Sequence, residues 1–312
     1  MIYSNIKDTN LNSSKIVLGR DCTSKALDEK IFLSEMDVYS EYGGNHFDTA
    51  HMYCGGESER LVGKWLKGKN REKYIVTTKG AHPDLKTGAS RLSKKDIEHD
   101  LDESLKRLDT DYIDLYFLHR DDESIPANEI IHIMNELSAS GKFNYFGCSN
   151  WKTARIETAN KYAAANGLKP FCISQIKYSL GVTSPAYKDD PTLVEMTDTE
   201  YTFYKKSDMP VMAYASQAKG FFQKKDLNDL SEKCRARYFC DKNVKRRKRA
   251  ELIAANRNVS VTAVILSYLY SQKINVFPII GGSSADQVAD SLKFSDFILS
   301  SDEIKYLHGI SD

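Results

Sequence analysis

The sequence predicts a single α/β domain, a (β/α)8 barrel of the TIM type spanning residues 1–312. Three observations carry that prediction. Short, uniformly apolar runs alternate with amphipathic runs, the pattern of parallel strands covered on both faces and of the helices that cover them. Neither a Ser/Gly-rich linker nor a shift in charge marks a domain boundary. The length of 312 residues accommodates such a barrel, which commonly needs about 250.

The elements follow in order. Ile16–Leu18 is the first apolar run, and the next strand is expected to end at Asp48, within Asn45-His46-Phe47-Asp48-Thr49-Ala50. Leu61 and Trp65 share a helix face by their spacing of four. Tyr74–Thr78 reads as a strand, Leu101, Leu105 and Leu108 as a helical stripe, Ile113–Leu118 as a strand, and Ile130, Met134 and Leu137 as another stripe. Tyr145–Gly147, Phe171–Ser174, Val211–Ala213 and Val276–Ile279 complete the buried strands. Gly220 to Asn243 breaks the rhythm: it is long, rich in Lys and Asp and weakly periodic, and is expected to be a functional lid or loop.

Composition narrows the function. A net charge of +1 argues against a nucleic-acid binder. The basic run Lys242–Arg249 is expected to be a solvated helix face. Six cysteines, Cys22, Cys54, Cys148, Cys172, Cys234 and Cys240, form no CxxC pair and no zinc-like cluster, so reduced thiols, no metal and a cytoplasmic setting are expected. Met1 to Lys15 lacks the apolar core of a signal peptide, and the longest apolar stretch, Val261 to Tyr270, is too short to cross a bilayer.

Four residues stand where chemistry is expected. Asp48 ends a strand, Tyr53 follows five residues later, and Lys79 and His119 each lie one residue beyond an apolar run. Residues just past barrel strands face the active site. Hydride reduction of a carbonyl leaves an oxyanion that must be protonated as it forms. A tyrosine can donate that proton if an ammonium group nearby favours tyrosinate, and a carboxylate keeps the ammonium charged and in place.

The segment Gly44–Tyr53 with Gly56-Glu57-Ser58-Glu59, the stretch Ser104–Leu108 with Asp111–Tyr116 and Leu118-His119, and Gly147-Cys148-Ser149-Asn150-Trp151 resemble, in order, the signatures of the aldo-keto reductases. The matches run from about Leu18 to Leu292. The resemblance implies an NAD(P)(H)-dependent enzyme that interconverts an aldehyde or ketone and an alcohol. Its catalytic tetrad falls on Asp48, Tyr53, Lys79 and His119, with Tyr53 as general acid or base. Ser149, Asn150 and Gln175 match positions that hold the nicotinamide carboxamide, and Tyr214 matches the aromatic that stacks on its ring. Ser216, Gln217, Gly281, Gly282, Ser283 and Gln287 complete the expected cofactor set. Gly281 and Gln287 stand where many members carry the Lys and Arg that clamp the 2′-phosphate of NADPH, and Ser291 where an Asn is usual. NADH is therefore expected to serve at least as well as NADPH. The long C-terminal loop that many relatives place over the substrate pocket is not expected after Asp312, so specificity is assigned elsewhere, with Gly220–Asn243 as a candidate. His82, Arg120 and Trp151, past strand ends, are expected to bind a polar substrate such as a sugar, with Trp151 stacking on its ring and Arg120 and Asp121 within reach of each other. The small-molecule substrate is the one partner expected, with no nucleic acid and no membrane. The alternative is a regulatory or binding subunit, a role some barrels of this family serve.

Overall fold

The structure, a computed structural model, describes residues 1–20 and 27–310. Eight parallel strands close into a barrel in chain order: β3 (Val17–Gly19), β4 (His46–Asp48), β5 (Ile75–Gly80), β6 (Ile113–Leu118), β7 (Phe143–Ser149), β8 (Ser174–Lys177), β9 (Val211–Tyr214) and β10 (Val276–Ile280), which returns to pair with β3. The expected barrel is the observed fold. The seam between first and last strands is narrow, with Ile279 opposite Val17 and Ile280 opposite Leu18.

A hairpin that the apolar runs do not announce precedes the barrel, β1 (Tyr3–Asn5) and β2 (Asn12–Ser14). Its residues Ile6 and Leu11 join Val17, Leu115, Phe117 and Phe277 in one apolar cluster, so the hairpin closes the end of the barrel opposite the strand C-termini. Ser13 Oγ lies 2.8 Å from Nδ1 of His46, whose Nε2 lies 2.7 Å from Thr77 Oγ1. Burial holds the His46 imidazole neutral, its pKa lowered to about 3.

Helices cover the outside. The leucine stripe 101/105/108 belongs to α3 (Lys94–Leu108), whose N-cap Ser93 accepts from Asp96 N–H. Leu61 and Trp65 lie on α2 (Glu57–Leu66), and Ile130, Met134 and Leu137 on α4 (Ala127–Ser138). The others are α1 (Glu29–Glu41), α5 (Thr153–Ala165), α6 (Asp198–Ser207), α7 (Glu232–Tyr238), α8 (Asp241–Arg257), α9 (Val261–Tyr270), α10 (Ala285–Leu292) and α11 (Ser301–His308). Among the described residues no single helix is long and apolar enough to cross a membrane.

Three expectations are corrected. The segment Gly220–Asn243 is not an open loop: Phe221, Phe222, Cys234 and Tyr238 are buried, α7 lies within it, and Arg237 pairs with Asp189. The basic run forms the start of α8, but Arg246 and Arg247 are buried and donate inward, to the carbonyls of Leu180 and of Lys224 and Lys225. Cys54 is disulfide-bonded, whereas Cys148, Cys172, Cys234 and Cys240 are free thiols. Cys22 lies outside the described residues.

Candidate active site

The strand C-termini bring the four chemistry-bearing residues together. Asp48 is the last residue of β4, and Lys79 lies inside β5 rather than beyond it, with no exposed surface. Lys79 Nζ donates to Asp48 Oδ2 at 2.7 Å and to the Thr49 carbonyl at 2.8 Å, and lies 3.4 Å from the Tyr53 hydroxyl. The ammonium also sits 4.8 Å from the centre of the Tyr53 ring. A sharp turn presents Tyr53: Cys54, Gly55 and Gly56 follow with φ of 53°, 63° and 91°, a left-handed run that is strained at the non-glycine Cys54. At Gly56 a Cβ would meet the Arg107 guanidinium at 2.6 Å. That guanidinium donates to the His51 carbonyl and to Glu59, fixing the backbone that leads into Tyr53.

His119 follows β6, its N–H donating to the Gly80 carbonyl, and its ring meets that of Tyr53 edge-on at 5.6 Å. Burial drives its pKa well below the usual range, assisted by the positive charges of Lys79 and Arg120. His119 is therefore neutral near pH 7, and its Nδ1 is buried without a hydrogen-bond partner among the described residues.

His82 packs on His119, ring centres 5.0 Å apart, with its Nδ1 2.8 Å from the Pro83 carbonyl, and burial lowers its pKa. Arg120 donates to the His119 carbonyl and to Thr192 Oγ1, and faces Asp190. Asp121 pairs with Arg155 instead of Arg120, 2.7 Å away. Trp151 is corrected as a substrate residue: it is fully buried, against Phe171 and under the Arg155 guanidinium, so no face remains to stack on a ligand.

On the side assigned to the cofactor, Ser149 ends β7 and accepts from Asn150 Nδ2, while Asn150 Oδ1 accepts from Val194 N–H and from the Tyr214 hydroxyl. Asn150 itself is held at φ 60°. Gln175 lies in β8 and donates to Asp48 Oδ1 at 2.9 Å, which ties it to the ion pair as well. After β9, Ala215, Ala218 and Lys219 all have positive φ, and Ser216 Oγ donates to the Ile279 carbonyl at 2.5 Å. Gln217 donates to Ser291. Gly281 and Gly282 lead from β10 to α10, where Ser284 caps the helix. Ser283 turns both its N–H and its hydroxyl to Gln287 Oε1, at 2.9 and 3.1 Å. Among the described residues the N–H groups of Gly282 and Ser284 meet no backbone acceptor.

The aldo/keto reductase family model matches residues 17–312. The chain belongs to that family. An aryl-alcohol dehydrogenase of Pestalotiopsis microspora is 27% identical to this aldo/keto reductase over 86% of this chain and 70% of its own length. Norsolorinic acid reductase B of Dothistroma septosporum is 30% identical over 87% and 70%. A thermostable aldo-keto reductase solved with the inhibitor epalrestat is 26% identical, covers all of both chains and superposes with a TM-score of 0.77. An aldo/keto reductase from Klebsiella pneumoniae, solved with NADP and acetate, shares the fold at a TM-score of 0.73 and 23% identity, over 96% and 92% of the chains.

Several residues of this aldo/keto reductase's site carried no signal in the sequence. Thr49 lies within the Gly44–Tyr53 motif, but its carbonyl is a backbone atom that no side chain announces, and Asp190 and Thr192 meet Arg120 from some 70 positions away with no motif or period to mark them. Among the described residues no group of His, Cys, Asp and Glu is arranged to hold a metal ion.

Proposed function

We propose that this chain is a nicotinamide-dependent oxidoreductase that reduces an aldehyde or ketone to an alcohol, or runs the reverse. The observation that carries this reading is the Lys79 ammonium between the Asp48 carboxylate and the Tyr53 hydroxyl. The dinucleotide, when bound, supplies or accepts the hydride. Tyr53 gives its proton to the carbonyl oxygen in reduction and takes it back in oxidation. Lys79 favours the phenolate left behind, and Asp48 keeps Lys79, which has no exposed surface, charged. Neutral His119 has one N–H with which to orient the substrate oxygen.

The residues fit a dinucleotide. Backbone strain at Ala215, Ala218 and Lys219 concentrates beside the strand ends, as it does at ligand sites. Unspent N–H groups at Gly282 and Ser284 sit at the start of a helix after the last barrel strand, a place that suits a phosphate. NADH serves at least as well as NADPH in this reading. A Cβ at Gly281 would lie 2.7 Å from the Gly19 carbonyl oxygen, so no cationic side chain fits there, and Gln287 is turned to Ser283.

The substrate is polar and hydroxylated in this reading. His82 and Arg120 flank His119, and Thr192 and Asp190 face Arg120; a cavity of about 430 Å³ lined by Pro83, Asp121, Asn150, Lys152 and Thr192 opens nearby, with no tetrad residue in its wall. Such groups penalise an apolar substrate that leaves them unpaired.

The test is Tyr53→Phe, with turnover of an aldehyde and sugar panel measured beside the Kd of NADH and NADPH. The phenol is needed only as the oxyanion develops, so kcat falls by at least about a thousandfold while both Kd values stay within about twofold. Retention of a tenth of kcat, with chemistry rate-limiting, overturns the role of Tyr53. A wild-type chain that binds cofactor but turns over nothing in the panel favours the regulatory-subunit reading.

A further inference from the structure

Arg20 stands immediately past the end of β3, where Gly19 pairs in register with Asp48. Its Nη1 donates to both carboxylate oxygens of Glu35, at 2.7 and 2.9 Å, and to the Gly282 carbonyl. Glu35 has no exposed side-chain surface, whereas the Arg20 side chain keeps 17% of its own. A guanidinium has five N–H donors, and Nη1 carries two of them. The three on Nε and Nη2 donate to no described residue. A cation is thus anchored through one nitrogen, with its remaining edge unspent, between the strand bearing the tetrad carboxylate and the glycine pair after β10.

Resting on the cofactor reading above, we infer that Arg20 is a binding residue for the pyrophosphate of the dinucleotide, and that Glu35 and Gly282 hold it in place for that contact. The position of Arg20 selects the pyrophosphate over a 2′-phosphate. A dinucleotide bound with its reacting end at Tyr53 and its adenosine end by α10 carries its pyrophosphate between the two. Arg20 lies between the same landmarks, one residue past the register partner of Asp48 and in contact with Gly282. The fork of a guanidinium also suits two phosphoryl oxygens better than a point charge does. Anchoring matters because a free arginine loses side-chain entropy on binding, and this one has already lost it to Glu35.

The test measures equilibrium binding of NADH, NADPH and inorganic pyrophosphate to the full chain by calorimetry. Arg20→Gln alone strands the buried Glu35 carboxylate, so the main variant is Arg20→Gln with Glu35→Gln, which keeps a neutral hydrogen-bonding pair. Both dinucleotides are expected to bind about tenfold or more weakly to it, by the same factor, with pyrophosphate binding lost and a shallower salt dependence than in wild type. Glu35→Gln alone keeps the cation but loosens its anchor, so both dinucleotides are expected to bind more weakly than to wild type and more tightly than to the double variant. The proposal is overturned if the double variant binds both dinucleotides within twofold of wild type, or if only NADPH weakens, which puts the cation on the 2′-phosphate. A wild-type chain that binds neither dinucleotide removes the cofactor reading itself.

Discussion

With no exposed surface of its own, the Lys79 ammonium sits 2.7 Å from the Asp48 carboxylate, which is itself 4% exposed. Removing one member of such a pair strands the other charge away from water, a cost of about 3–5 kcal/mol. Lys79→Met is expected to lower unfolding stability in urea by that amount as well as stopping turnover. Adding Asp48→Asn should restore at least about 1 kcal/mol, the coupling expected of a contacting pair. A single variant costing under about 1 kcal/mol would mean that water reaches the pair. At this scale the sequence was legible where chemistry demands an unusual residue at a strand end, as at Asp48, Lys79 and His119. It was illegible where packing decides the role. Trp151 follows the β7 end like a pocket residue, yet Phe171 and Arg155 enclose it, because an indole gains more from full burial than from lining a wet site.

Among the elements, β8 shows why an apolar run misplaces a strand. The run Phe171–Ser174 points to a strand there, but the ladder is Ser174–Lys177. Gln175 and Lys177 face inward to polar partners, Asp48 for one and Asp189 with Glu195 for the other, so this strand is polar where the barrel mouth is polar. The segment 220–243 errs the other way: its charges and weak period suggested a lid or loop, while its aromatics and Asn243 pack it down. Asn243 is fully buried, donates to the carbonyls of Val182 and Tyr238, and accepts from the Val182 N–H. Asn243→Ala leaves those three backbone groups unsatisfied, and a loss of about 2–4 kcal/mol in urea unfolding is expected. Proteolytic cleavage should then concentrate between Lys224 and Arg237; resistance equal to wild type would show that the aromatics alone secure the segment.

Across the whole molecule, burial lowers the pKa of five of the seven histidines: His46, His51, His82, His119 and His308. In the unfolded chain each takes up a proton near pH 6.5, while the folded state resists it. The unfolded state therefore binds more protons as pH falls below about 6.5, and stability drops with acidification, by up to about 1.4 kcal/mol per pH unit for each histidine fully out of step. For His46 the window extends down to about pH 3. Urea midpoints measured from pH 7.5 to 5 should fall steadily, and His46→Gln should show a shallower slope than wild type. A flat profile would show that these rings are protonated in the fold. The barrel as a whole was legible because seven apolar runs and the strand ending at Asp48 alternate with helical stripes, the pattern of a closed parallel sheet. The hairpin that closes its floor was not, since Tyr3–Asn5 and Asn12–Ser14 are mostly polar and have no period to read.

The narrow seam has a consequence in time. Strands β3 and β10 meet at two residue pairs separated by some 260 positions, Val17 with Ile279 and Leu18 with Ile280. Every other barrel pairing joins consecutive strands. A chain emerging from a ribosome can thus stack seven strands while the leading one keeps a bare edge, and ring closure waits for Val276–Ile280 to appear. Loop-closure entropy makes that contact the slowest to form. Amide exchange on the refolding chain should accordingly protect β5 and β6 first and Val17–Gly19 last.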